Sequence, residues 1–171
     1  MRIAIVGNSG SGKTTLAREL ERRLSLSRLD LDSVAWEPGK VAVARNQDDA
    51  IADVERFCST RAEWVVEGCY SALVASALRF RPTLVYLDPG VEACLAHCQG
   101  RPWEQSKYES KSEQDKRLQF LLMWVRQYYV RDDDLSLSAH EALYSEYRGR
   151  KIKLTENVLP NLKIILERLT I

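Results

Sequence analysis

Gly7, Asn8, Ser9, Gly10, Ser11, Gly12, Lys13 and Thr14 fit the spacing G-x-x-x-x-G-K-[ST] at every fixed position, and Thr15 follows. The chemistry this spacing suits is the holding of a polyphosphate. Dense negative charge is met by a ring of backbone N–H groups that point inward and come close. Side chains would obstruct the approach; glycine removes them and permits positive φ. A helix starting near Lys13 adds the positive end of its dipole. Lys13 is then placed to reach the β- and γ-phosphates, and the Thr14 hydroxyl to ligate Mg²⁺. Thr15 supports the helix start or touches the α-phosphate. A chance match of the four fixed positions is expected in roughly one chain in a few hundred of this length. The rival dinucleotide pattern G-x-G-x-x-G fails, because Thr15 stands where its third glycine is required.

Acids follow at intervals that fit the same ligand. In SRLDLDSVAW, Leu29 and Leu31 alternate with Asp30 and Asp32. A strand there would carry both carboxylates on one face, roughly 7 Å apart. At the carboxyl end of that strand they would face the crevice where α/β proteins bind ligands. Asp32 would orient or deprotonate an acceptor hydroxyl, and Asp30 would hold Mg²⁺ through water. A solvated edge strand or a helix cap is the plain alternative. EWVVEGCY ends in Glu67-Gly68, where Gly68 would let a ligand approach the backbone. PTLVYLD ends in Asp88, an acid able to accept from the Thr14 hydroxyl or from Mg²⁺-bound water. Many ATP-hydrolysing motors place a glutamate after such an aspartate to activate water. Here the next residue is Pro89, which favours transfer to an acceptor over driven hydrolysis.

The polar, basic stretch GRPWEQSKYESKSEQDKR, interrupted by Pro102, is the candidate for a lid over residues 99–117. Cations that close over a migrating phosphoryl group stabilise its transition state, and closure excludes water. Arg101, Lys107, Lys111 and Arg117 are available, with Arg101 and Arg117 the catalytic candidates. Arg126 and Arg131 could reach the site from the following helix. Cys94, His97 and Cys98 do not make a zinc site with Cys58, Cys69 and His140, because no second ligand pair has the spacing. Buried thiols on a helix account for them better. Arg131-Asp132-Asp133-Asp134 reads as a turn rather than a metal cluster.

The elements that must position these groups are legible as periodicities. Strands are expected at Arg2–Val6, Leu29–Asp32, Trp64–Val66, Leu84–Leu87 and Lys151–Leu154. Leu16, Leu20 and Leu24 mark the first helix; others are expected near 46–61, 71–78 and 91–99. Leu118, Leu121, Leu122, Val125 and Tyr129 share one helical face. Ser112 with Asp115 and Ser138 with Glu141 are the expected capping boxes, and Gly149 the stop of the second of these helices. A closing helix carries Leu162, Ile165, Leu166 and Leu169, with Pro160 near its start. The loop at Thr155–Asn157 would lie where an adenine could rest.

The 171 residues suit one domain, 1–171, with a real core. A formal net charge of +1 argues against strong non-specific nucleic-acid binding without excluding a local basic patch. The N-terminal apolar run is too short for a signal peptide and no stretch is long enough to span a bilayer. The expected location is cytoplasmic, with four reduced thiols.

With these residues in view, the chain resembles the P-loop kinases of the nucleoside-monophosphate and shikimate kinase type. GNSGSGKTT, LDLD, VVEG, LVYLD and the basic lid segment carry the likeness over nearly the full length. GNSGSGKTTLA, LDLDSVAW, RPWEQSKY and LLMWVRQYY resemble, more closely, bacterial adenylate-kinase-like proteins of DNA topology modulation. The resemblance implies an α/β fold: a three-layer α/β/α P-loop NTPase with a five-stranded parallel sheet, order 2-3-1-4-5, and a small mobile lid. It implies ATP and Mg²⁺ at Gly7–Thr15, an acceptor near Asp32 and Gly68, and lid arginines such as Arg101. Shikimate kinases have a run of glycines where this chain has Gly68-Cys69-Tyr70, which argues against shikimate. Of the D-G-F-P-R-like segment of adenylate kinases only the glycine is kept. The expected activity is transfer of the γ-phosphate to a small hydroxyl- or phosphate-bearing metabolite, a nucleotide among the candidates. The alternative is an ATP-binding regulatory protein acting on DNA topology or a protein partner. The residues leave the acceptor, the choice between ATP and GTP, and the oligomeric state open.

Overall fold

Ile3 and Ile5 turn to one face of the first strand, Ala4 and Val6 to the other, and all four are fully buried. A strand apolar on both sides belongs inside a parallel sheet covered by helices on each face. The computed structural model describes residues 1–39, 43–103 and 109–170. Among these, the strands are β1 (Arg2–Gly7), β2 (Ser27–Asp30), β3 (Trp64–Gly68), β4 (Thr83–Leu87) and β5 (Lys151–Leu154). All neighbours are parallel, in the order β2-β3-β1-β4-β5. This is the three-layer α/β/α P-loop NTPase fold with the strand order expected.

One face of the sheet is covered by α1 (Lys13–Leu24) and α8 (Val158–Thr170). Ile3, Ile5, Val65, Val85, Leu87 and Leu154 meet Leu16, Leu20, Ile165 and Leu169 there. The other face is covered by α3 (Gln47–Ser59), α4 (Ser71–Leu78) and α7 (Leu137–Glu146), with the single turn α2 (Asp32–Ala35) beside them. Ala4, Val6, Trp64, Val66, Leu84 and Tyr86 meet Ala50, Val54, Leu73, Val74 and Ala77 on that side. Each fully buried Ile, Leu or Val contributes about 1.5–3 kcal/mol. A third cluster joins α5 (Val91–Gln99) to α6 (Lys111–Gln127) through Cys94, Leu95, Cys98, Leu122 and Val125. The thiols of Cys94 and Cys98 are thus part of an apolar contact.

Local differences from the sequence expectations have local causes. The strand through LDLD stops at Asp30, and Asp32 opens α2. The Asp30 carboxylate accepts from the Asp32 amide at 3.0 Å and turns the chain, as such side chains do in competition with a strand ladder. The box that starts α6 is Ser110 with Glu113, two residues before the expected one: Ser110 Oγ accepts from the Glu113 amide at 3.1 Å, and Glu113 Oε2 from the Glu109 amide at 3.0 Å. The segment ESKSEQD offers the pattern in two registers, and the earlier one lengthens the helix by two residues. Likewise α7 is capped by Ser136, which accepts from the Ala139 amide at 3.1 Å, and it ends at Glu146 rather than at Gly149. Among the described residues no helix is long and apolar enough to cross a membrane.

Candidate functional site

The sheet register decides which strand-end groups meet. Asp30 of β2 lies opposite Glu67 of β3, and Glu67 opposite Ile5 of β1. Register partners in a parallel sheet share a face, so both carboxylates lie on the side of α1. There α1 delivers Lys13 and Thr14, and a cleft of about 930 Å³ opens at the carboxyl ends of the strands. That volume and position fit a small-molecule site of an α/β sheet. Ser9, Gly10, Gly12, Lys13, Thr14, Thr15, Asp30, Asp32, Glu67, Gly68 and Arg101 line it. Gly7, Asn8 and Ser11 build the loop from beneath. At the far wall stand Val158, Leu159 and Pro160 of α8 with Asn157, the one residue of the expected adenine loop Thr155–Asn157 that lines the cleft.

The loop is a tight construction. Ser11 N–H closes a turn onto Asn8 C=O at 3.1 Å, with Gly10 at φ +81° at its corner. Gly12, at φ +96°, leads into α1, and a Cβ there would sit 2.9 Å from Val158 Cγ2. Asn8 is buried: its amide donates to Val125 C=O at 3.0 Å and its Oδ1 accepts from Ser9 N–H at 2.8 Å. Lys13, also buried, rests its ammonium on Asn8 C=O at 2.8 Å.

Glu67 is the residue the sequence reading passed over. Only 2% exposed, it lies among Lys13, Thr14, Asp30 and Asp32, and its Oε1 has no hydrogen-bond partner. Burial pushes its carboxyl above the ordinary range; the Lys13 charge and a hydrogen bond from Thr14 pull it back, while Asp30 and Asp32 add to the rise. A carboxylate inside the otherwise apolar WVVEG was the available signal, since a buried acid needs a partner of opposite charge. Gly68 lines the cleft, but its missing side chain has a packing reason: a Cβ would meet Leu31 Cβ at 2.7 Å.

Asp32 is held for its place. Tyr70 Oη donates to Asp32 Oδ1 at 2.7 Å and accepts from Trp36 Nε1–H at 2.7 Å. The segment carrying Tyr70 is braced from below. Asp134 caps α4, accepting from Ala72 N–H on its carboxylate at 2.8 Å and from Ser71 N–H on its carbonyl at 3.2 Å. His140 Nε2–H donates to Cys69 C=O at 2.8 Å, and its Nδ1 accepts from Tyr128 Oη at 2.9 Å; Tyr128 Oη lies 3.1 Å from Tyr86 Oη.

Burial lowers the His140 pKa to about 4, so the ring stays neutral where an unfolded chain would already be protonated. Between the ordinary value near 6.5 and about 4, the unfolded state therefore binds the extra proton. Stability is lost as pH falls through that window, by about 3 kcal/mol from this group. Urea unfolding at pH 7 and pH 4.5 checks it. His140→Gln is expected to be less stable than the wild type at pH 7, yet to lose less on acidification.

Asp88, Lys111, Arg117, Arg126 and Arg131 are not brought into the cleft. Asp88 alternates to the opposite face from Leu87, where it lies 3.4 Å from Lys153 Nζ and accepts from Tyr129 Oη at 3.4 Å. Arg117 pairs along α6 with Glu113 at 3.1 Å and does not line the cleft. Lys111 pairs with Asp115 at 2.6 Å, and Arg131 lies over the Trp124 ring at 3.9 Å. Lys107, with the rest of 104–108, lies outside the described residues.

Residues 3–119 match the family model described as AAA domain. Among curated proteins none matches. Solved structures of like fold include a shikimate kinase from Bacteroides thetaiotaomicron, at 15% identity and TM-score 0.61, covering 100% of this chain and 99% of that one. A gluconokinase from Sinorhizobium meliloti 1021 gives 16% and 0.58, covering 99% and 89%. A shikimate kinase from Acinetobacter baumannii in complex with shikimate gives 22% and 0.56, covering 99% and 93%.

Proposed function

We propose, for a chain that belongs to the AAA domain family, an ATP-dependent phosphotransferase that moves the γ-phosphate to a small hydroxyl- or phosphate-bearing metabolite in the cytoplasm. One observation carries the reading: Lys13 and Thr14 of the glycine loop line the same cleft as Asp30, Asp32 and Glu67. The similarity in fold to a gluconokinase and to shikimate kinases supports it. Membership of the adenylate-kinase-like group of DNA topology modulation belongs to the same proposal and rests on the stretches quoted above.

The donor set fits Mg²⁺. Hydroxyl and carboxylate oxygens suit a hard cation, and Glu67 Oε1 is a buried oxygen without a partner. Among the described residues no three His, Cys, Asp or Glu side chains form a metal cluster, so phosphate and water would complete the shell. Thr14, Asp30 and Glu67 would hold the ion, which when bound neutralises phosphate charge. Asp88 is left out of this set because Lys153 and Tyr129 hold it on the other face.

In the proposed reaction the loop amides and Lys13 orient the triphosphate and take up charge that moves to the β–γ bridging oxygen. Asp32, fixed by Tyr70, accepts a hydrogen bond from the acceptor hydroxyl and then its proton as the new P–O bond forms and the bond from the γ-phosphorus to the bridging oxygen breaks, releasing ADP. Arg101 adds positive charge from the rim. The test is ADP formation by purified protein with ATP, Mg²⁺ and a panel of sugars, sugar acids, nucleosides and nucleotides. Acceptor-dependent ADP is expected, and its absence across the panel would overturn the reading.

A further inference from the structure

The nest for phosphate is only as good as the fixity of its peptides, and the corner of this one is held from outside the motif. His97 of α5 has Nδ1 2.8 Å from Gly10 C=O. A carbonyl only accepts, so Nδ1 carries the proton and donates. The same peptide is held at its other end, where Ser11 N–H donates to Asn8 C=O at 3.1 Å. The loop's apex also rests on α5 itself: a Cβ on Gly10 would lie 2.3 Å from Cys94 C=O. His97 lines the cleft beside Ser9 and Gly10.

From this geometry we infer that His97 is a positioning residue for nucleotide binding, locking the Gly10–Ser11 peptide in the orientation that the phosphate nest requires. The physical need is specific to this loop. Gly10 at φ +81° and Gly12 at φ +96° stand in regions that glycine enters and leaves freely. A peptide between such residues rotates at little cost unless both its ends are held. An unlocked loop must be ordered at the moment of binding, and that ordering subtracts from affinity. Donors fixed beforehand avoid the loss. His97 acts through the loop backbone, so its effect falls on the polyphosphate rather than on the base.

The inference rests on the reading of Gly7–Thr15 as an ATP site, and calorimetry separates the two. ATP and inorganic tripolyphosphate are titrated into wild type, His97→Ala, His97→Asn and His97→Gln. The Asn amide reaches the place of Nδ1; the Gln amide lies one carbon further out. Expected is an affinity about 5- to 10-fold weaker for both ligands in the Ala and Gln variants. In His97→Asn it stays within about 2-fold of the wild type, since the same donor is supplied. A His97→Ala protein that binds both ligands as the wild type does overturns the assignment. So does a His97→Asn protein as weak as His97→Ala, or a loss confined to ATP. If the wild type binds neither ligand, the ATP site and this assignment fall together. If the variants follow the expected pattern but no acceptor is phosphorylated, the phosphotransferase reading falls and the role of His97 stands.

Discussion

Lys13→Ala is expected to lower phosphoryl transfer by about 10³-fold while the protein stays folded. The Lys13 ammonium donates to Asn8 C=O at 2.8 Å. Asn8 C=O keeps a second donor, Ser11 N–H, so the carbonyl is not orphaned by the change. Loss of one such bond costs about 1 kcal/mol of stability. The catalytic loss is larger because the charge acts where negative charge gathers in the transition state. Coupled ADP assays and thermal unfolding on the same preparation measure both quantities. Lys13→Arg is expected to recover little, because a planar fork does not replace a point charge in a loop this tight.

Glu67→Gln should separate function from stability in the opposite sense. The wild-type carboxyl is almost wholly buried, with its pKa raised mainly by that burial. A raised folded-state pKa in an acid means that stability falls as pH climbs from the ordinary carboxylate value through the folded one. The amide has no such proton to lose, so at neutral pH the variant is expected to unfold at higher urea concentration than the wild type. The gain over the wild type should shrink as pH falls toward 4.5. Transfer, by contrast, is expected to drop by about 10²- to 10³-fold with a raised requirement for Mg²⁺. A variant less stable at pH 7 and unchanged in turnover would show Glu67 to be a structural acid. Groups strained or buried at a site commonly cost stability in this way.

The fold was legible because its signals are local. Continuous apolar runs marked most of the strands, and the glycine loop marked where the first strand meets its helix. The order of strands came from resemblance, since nothing in LVYLD or VVEG tells which flank of β1 each will take. That gap explains Asp88. Both β3 and β4 adjoin β1, so either strand-end acid fits the pattern on paper. The pleat decides between them: Val85 and Leu87 face α1 and α8, which sends Asp88 the other way with Tyr86. Glu67 shares the face of Asp30 and Ile5. The same blindness to long-range placement hid Tyr70 and His140, which are 38 and 71 residues from the groups they hold, Asp32 and Cys69. Arg117 read as a lid cation because its charge is visible in the sequence, whereas its partner Glu113, one helical turn away, competes for it.

Val158, at the start of α8, occupies the space a side chain on Gly12 would need: a Cβ there would lie 2.9 Å from Val158 Cγ2. Mutations at the two positions are therefore not independent: a bulkier residue at 158 narrows the seat of the loop, and a smaller one loosens it. In a lineage of such proteins, the start of the last helix and the end of the glycine loop should change together. Hybrids that join the first half of one member to the second half of another should lose nucleotide affinity before they lose the sheet.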